Sequence, residues 1–316
     1  MKFGVREICD VTFKTTANNQ RVGKTVFAKA GMPAFMIDTA KTSSLEQATS
    51  TSYANGGKGN SRLIAWEGEK TMTFTVEDAL ISPMGLAVLS GAGIIESAAK
   101  AGKHVHVTLD VATNANGAAE VTLDQLKEET GIEDNTILVC SDVPVYATVL
   151  DGSGAGIEFV TEEITISGGA EDAPNEDVVA VDAENAVTFT AANHKSKTLR
   201  LDFYLLVFNG VTEVEVKPED FGGYFYVEAQ TLFRREDNGK DMAAEIILPK
   251  VKVQSGFTFT MAATGDPSTF TFTMDAFPSY TKFDKTKKVM CVIQMIGNDA
   301  TASDDTEVHS AHTATV

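Results

Sequence analysis

The pentapeptide Phe-Thr-Phe-Thr-Met occurs twice in close succession, at residues 257–261 and 270–274, with a Gly-Asp-Pro-Ser cluster between the copies. Side chains alternate across a β-strand with period two, so each copy sends Phe and Met to one face and Thr to the other. Antiparallel pairing sets Phe257 opposite Met274, Phe259 opposite Phe272 and Met261 opposite Phe270, while Thr258 meets Thr273 and Thr260 meets Thr271. A slip of one residue would expose every Phe, so the pattern specifies a hairpin with one apolar and one hydroxyl face. Gly265 and Asp266 suit the two-residue loop, and Pro267, which cannot donate to a ladder, widens it. Val251 and Val253 share the phase of Phe257, which predicts a first strand of about 13 residues, roughly 43 Å long. A third copy of the code, TMTFTVE at 71–77, repeats the segregation. Phe74, Phe257, Phe259, Phe270 and Phe272 are therefore the expected core of the hairpin. Thr71, Thr73, Thr75, Thr258, Thr260, Thr271 and Thr273 form its hydroxyl face.

A chain of 316 residues suffices for one large all-β domain or two smaller ones. Its 44 acidic and 26 basic residues leave a formal net charge of −18, a surface that repels polyanions and argues against nucleic-acid binding through counterion release. Cys9, Cys140 and Cys291 are odd in number and far apart, which indicates no disulfide framework. The N-terminus lacks the continuous apolar core of a signal peptide, and no apolar run approaches about 18 residues. A soluble protein made in a cytoplasm, with no membrane partner, is expected.

Taken in order, residues 41–61 are polar and weakly periodic, and read as a surface loop or arm. Residues 62–66 begin a buried strand carrying Trp66, and Glu-Gly-Glu turns it into TMTFTVE. Ser82 followed by Pro83 marks a helix start, and residues 122–130 read as a surface helix. Residues 103–111 alternate as a strand. From 134 to 220 the chain is β-like and interrupted, with an acidic loop at 168–177. In this stretch Leu199, Leu201, Phe203, Leu205 and Val207 line one face. A strand is expected from Tyr224 to Phe233, and residues 289–296 are apolar on both faces, as in a central strand. Residues 297–316 have no apolar periodicity, and either neighbouring subunits, the favoured reading, or the rest of the chain are expected to hold them in place.

Catalytic chemistry finds no constellation. Gly23-Lys24-Thr25 resembles the end of a phosphate-binding loop, but Asn18 stands where the first glycine belongs and no helix pattern follows. His104 and His106 share a strand face without a third metal ligand nearby, so a solvated face is the better reading. Ser90 and Ser153 sit among glycines outside any nucleophile elbow. The acidic loop lacks the alternating ligands of a calcium loop. No enzyme activity, cofactor or metal is expected.

The stretches RLIAWEGEKTMTFTVEDALISPMGLAVLSGAG and YFYVEAQTLFRREDNGKDMAAEIILPKVKVQSGFTFTMAATGDPSTFTFTMDAFP resemble bacteriophage tail tube and related virion structural proteins. That resemblance implies a mainly β fold: a β-sandwich with a short flanking helix, whose subunits close six-membered rings. Inner strands of neighbours would join into one ring-wide β-barrel, and stacked rings would make the tube that conducts DNA. Implied partners are further copies of the chain, tail sheath outside, and tape-measure protein and genomic DNA inside. The implied location is the virion tail, assembled in the host cytoplasm. On this reading residues 1–139 and 221–296 form the tube core, 140–220 a β-rich insertion or decorating region, and 297–316 a C-terminal arm. The Thr rows then supply either a hydrated channel wall or a face toward bulk solvent. A non-viral β-sandwich binding or adhesion module is the alternative, and it would need a ligand site.

Overall fold

The computed structural model describes residues 2–5, 7–91, 93–96, 102–150, 157–170, 175–258, 263 and 269–297. Two compact units share the chain: Met1–Ile95 with Val214–Val316, and Glu96–Glu213. The first unit begins with β1 (Phe3–Val5), β2 (Asp10–Thr15), a small hairpin of β3 (Gln20–Val22) and β4 (Thr25–Phe27), and β5 (Pro33–Ile37). The long pair β6 (Ala40–Gly56) and β7 (Ser61–Asp78), helix α1 (Pro83–Ser90) and β8 (Gly93–Glu96) follow. The second unit holds β9 (Lys103–Ala112), β10 (Ala118–Val121), helix α2 (Leu123–Thr130), β11 (Ile137–Cys140) and β12 (Val145–Leu150). It continues with β13 (Ile157–Gly168), β14 (Val178–Val181), β15 (Val187–Thr190) and β16 (Thr198–Val207). The chain returns along β17 (Thr212–Glu215), which pairs with β8. It then completes the first unit with β18 (Tyr224–Arg235), β19 (Asp241–Val253), β20 (Phe270–Ala276) and β21 (Val292–Ile296).

The protein is mainly β, with open sheets packed in sandwich-like fashion. In the first unit the main sheet runs β5-β2-β18-β19-β20-β7-β6, with β1 also on β18 and β21 also on β19. The Thr-Phe alternation builds its middle. Here TMTFTVE pairs with the second FTFTM: Phe272 faces Val76, Thr273 faces Thr75 and Met274 faces Phe74. Phe74, Phe270, Phe272 and Met274 are buried in one core with Phe13, Ile37, Leu89 and Phe225. Fully burying such side chains stabilises by about 1.5–3 kcal/mol each. Helix α1 covers this core; Ser82 caps it by accepting a hydrogen bond from the Gly85 N–H at 3.0 Å, with Pro83 in its first turn. Gly91 closes the helix in the left-handed region at φ 73°, and a Cβ there would meet the Phe221 carbonyl carbon at 2.5 Å.

Several expectations for this unit are corrected. Met274 pairs with Val253 rather than Phe257, so the register is displaced by four residues while the phase of every side chain is kept. The 13-residue strand exists, but as Asp241–Val253, because β18 pairs with it from Arg234 back to Tyr224. Phe257 lies beyond its end and is 37% exposed rather than core. Residues 41–61 are not a loop, for β6 pairs with β7 from Ala40–Asp78 to Gly56–Ser61, and Glu67-Gly68-Glu69 lies within β7 instead of turning it. Trp66 is 54% exposed, since nothing among the described residues covers that part of β7. Finally β21 is no central strand; β19 is its one neighbour among the described residues.

Pro249 sits inside β19, where a missing N–H should break the ladder. The break is used. The pairing with β18 shifts between Phe225–Val251 and Val227–Leu248, a bulge at Pro249. On its other side β19 changes partner there, from β21 along Ala243–Ile247 to β20 along Val251–Val253.

In the second unit β16 is central, paired with β9 over its whole length and with β12 and β11 on the other side. β13 pairs with β12 through its first part and with β15 through Thr165–Gly168, so one strand carries the chain between two ladders. The alternating Leu199, Leu201, Phe203, Leu205 and Val207 are all buried, with Phe189 and Val139. Helix α2 closes this core with Leu123 and Leu126, and Thr122 and Gln125 form its capping box. The unit begins at Glu96, and the ten-residue pairing of β9 with β16 ties residues 103–112 to it.

Candidate functional site

The face of the main sheet opposite the core is the first candidate surface. Thr71, Thr73 and Thr75 on β7 and Thr271 and Thr273 on β20 all share it, since they alternate with Phe74, Val76, Phe272 and Met274. It also carries two carboxylates. Asp275 stands opposite Thr73, whose hydroxyl donates to it at 3.4 Å, and Gln254 donates to it at 3.1 Å. Glu77 stands opposite Thr271 and accepts hydroxyl hydrogen bonds from Thr42, at 3.0 Å, and from Thr269. Those donors hold the Glu77 carboxyl below its ordinary value of 4.5. Thr258 is exposed but lies outside any strand, and Thr260 and Phe259 fall outside the described residues.

A second surface is the β6–β7 arm, missed in the sequence because neither strand alternates. β7 pairs with β20 only from Thr73 to Asp78, so its first twelve residues, Ser61 to Met72, have β6 as their one neighbour among the described residues. At the usual rise that ribbon projects about 40 Å. The sequence did carry its turn: Gly57, Gly59 and Asn60 all take positive φ, and Asn60 N–H closes onto Gly57 O at 3.1 Å. Tyr53, Leu63, Ile64 and Trp66 are exposed along it. An isolated two-stranded ribbon is marginal in water, and its apolar side chains lack cover.

The third surface is the far end of the sheet's apolar face. There β1 and β21 flank the buried Phe233, Met242 and Ala244 with Phe3, Val5, Ile293 and Met295, all exposed. Phe3 stacks on Phe233 with ring centroids 5.0 Å apart. The core face thus continues past the residues that cover it.

The residues considered for chemistry have structural settings. Gly23 and Lys24 make the tight turn between β3 and β4, with Gly23 at φ 57°. His106 meets Asp202 at 3.0 Å and packs against Tyr204, while His104 lies two residues away on the same strand. Ser90 donates to Leu86 O at 2.6 Å inside its own helix. Ser153 and the acidic residues 171–174 fall outside the described residues. Burial raises the Cys140 and Cys291 thiols to about 11, far from a reactive thiolate. Among the described residues no group of three or more His, Cys, Asp or Glu side chains is placed to hold a metal, and no helix is long and apolar enough to cross a membrane.

The fold thus presents open β-sheets with exposed apolar edges and a hydroxyl-rich face. Residues 20–292 match the YomU/Tube protein family, and the chain belongs to it. This is a phage tail tube-type family, which makes the chain a tube protein and a component of the virion tail. No curated protein matches the chain.

Proposed function

We propose that this chain polymerises as stacked hexameric rings to form the tail tube through which DNA passes into the host. The observation that carries the reading is the β6–β7 arm. A ribbon projecting about 40 Å, with Trp66, Ile64, Leu63 and Tyr53 uncovered, acquires cover when another copy packs on it. The edges of β1 and β21, each with one neighbouring strand among the described residues, offer further strands to neighbours, and pooling strands around a ring removes edges that would otherwise aggregate. The rows of Thr71, Thr73, Thr75, Thr271 and Thr273 face the lumen in this reading, a hydrated wall that DNA passes without being held. Sheath outside, tape-measure protein inside and assembly in the host cytoplasm belong to the same proposal. Electron microscopy of the purified chain at high concentration tests it, with rings of six-fold symmetry or tubes as the expected result. A protein that stays monomeric at every concentration, in the presence of the other tail proteins too, would remove it.

A further inference from the structure

Between the start of β18, the Pro249 bulge and the loop after β20 lies a hollow of about 630 Å³. Tyr224, Tyr226 and Tyr280 wall it, and Lys250, Lys282 and Lys285 line it. Lys250 Nζ sits 4.2 Å from the Tyr224 ring centroid and Lys282 Nζ 4.7 Å from that of Tyr226, so aromatic faces hold two ammonium groups at the wall. Lys282 is partly neutralised by Glu228, 3.4 Å away, which also takes Lys14. Lys250 and Lys285 have no carboxylate partner among the described residues.

Such a site is unexpected on an acidic protein, and the charge is unevenly divided. Residues 96–213 hold 21 acidic and 6 basic residues, a net of −15, whereas the rest of the chain holds 23 and 20, a net of −3. Copies packed closely in an assembly repel through the acidic unit unless it finds a basic counter-surface. We propose that the hollow docks an acidic segment of the 96–213 unit of a second copy of this chain. The exposed Asp124, Glu128 and Glu129 of α2, with Glu133 just beyond it, present the carboxylates. This rests on the self-assembly reading and names a contact within it. A polyanion fits less well, because Glu228, Glu245, Asp275 and Asp284 interrupt the surrounding surface, and a nucleic-acid backbone needs an unbroken cationic stripe.

Sedimentation of the full chain across a salt series, with two charge-reversed variants, tests the docking. One carries Lys250→Glu and Lys285→Glu, the other Glu128→Lys, Glu129→Lys and Glu133→Lys, with thermal melting as the check on folding. Each alone is expected to weaken self-association at least about tenfold at low salt, because opposite charges across an interface become like charges. Mixing the two should restore it, since the reversed hollow of one then meets the reversed helix of the other. Wild-type association that neither variant changes, or a mixture no stronger than its components, overturns the docking and leaves the tube reading standing. Duplex DNA bound by the wild type and released by the lysine variant would assign the hollow to a polyanion and equally overturn it. A wild type that never associates fails the tube reading first.

Discussion

Thr75 on β7 stands directly across from Thr273 on β20, and on the reverse side of the same two strands Phe74 stands across from Met274. One residue of offset separates a half-exposed hydroxyl from a side chain sealed in the core. Stability and surface chemistry are therefore separable by substitution along a single strand.

Phe272 is 1% exposed and packs against Phe13 and Phe35. Truncating it to Ala is expected to cost about 3–5 kcal/mol through the cavity it leaves. Thr273→Val, one residue away on the other face, should change stability by no more than about 0.5 kcal/mol. Denaturant unfolding of both variants measures the difference, and similar losses in the two would contradict the facing assigned here.

Replacing Trp66 and Ile64 by Ser removes apolar surface that is more than half exposed in the subunit. Melting temperature should stay within a degree or two of wild type, roughly the shift expected of an exposed site. Ring or tube formation should be lost. Polymers of normal yield under the microscope would show that the arm is not an assembly element.

Substituting Thr271 and Thr273 by Lys places ammonium groups on the proposed lumen wall while leaving the core untouched. Tubes are expected to form, and DNA ejection to slow at low salt and recover at high salt, since each cation adds a phosphate contact. Ejection at the normal rate from virions verified to carry both lysines would place that face elsewhere.

Glu77 titrates below its ordinary value because Thr269 and Thr42 donate to its carboxylate. A depressed folded-state value contributes stability that is complete above the unfolded value and is lost as pH falls through the folded one. Unfolding midpoints measured from about pH 5 down to about pH 3 should thus fall less steeply in Glu77→Gln than in wild type. Equal slopes would remove this carboxylate from the acid response.

The local code was legible where one face is buried and the other wet. TMTFTVE, the second FTFTM, the Leu-Phe alternation of β16, the cap of α1 and the helix at 122–130 all read correctly because period and cap chemistry are written in adjacent residues. The pairing of the two FTFTM copies did not, since a period-two code forbids a slip of one residue but not of four; Val253 serves opposite Met274 as well as Phe257 would. β6 was hidden for a different reason. Both faces of a projecting ribbon meet solvent, so Ser, Thr, Ala and Gln replace any alternation, and only Gly-Gly-Lys-Gly-Asn marks the turn. Trp66 misled by its identity, as an aromatic residue suggests a core wherever a strand is inferred.

The bulge at Pro249 also has a mechanical meaning. Among the described residues the β6–β7–β20 block reaches β19 through three residue pairs, Val251–Ala276, Lys252–Asp275 and Val253–Met274, flanked by hydrogen bonds from Phe277 N–H to Lys250 O and from Gln254 N–H to Thr273 O. On the other side β19 holds β18 along nearly its whole length. Load entering through the arm therefore crosses a short seam before it reaches the stiffer half of the sheet. Flexure of the subunit is therefore concentrated along that line, and the contact of Phe13, on one side of the seam, with Phe272, on the other, opposes it from the core face.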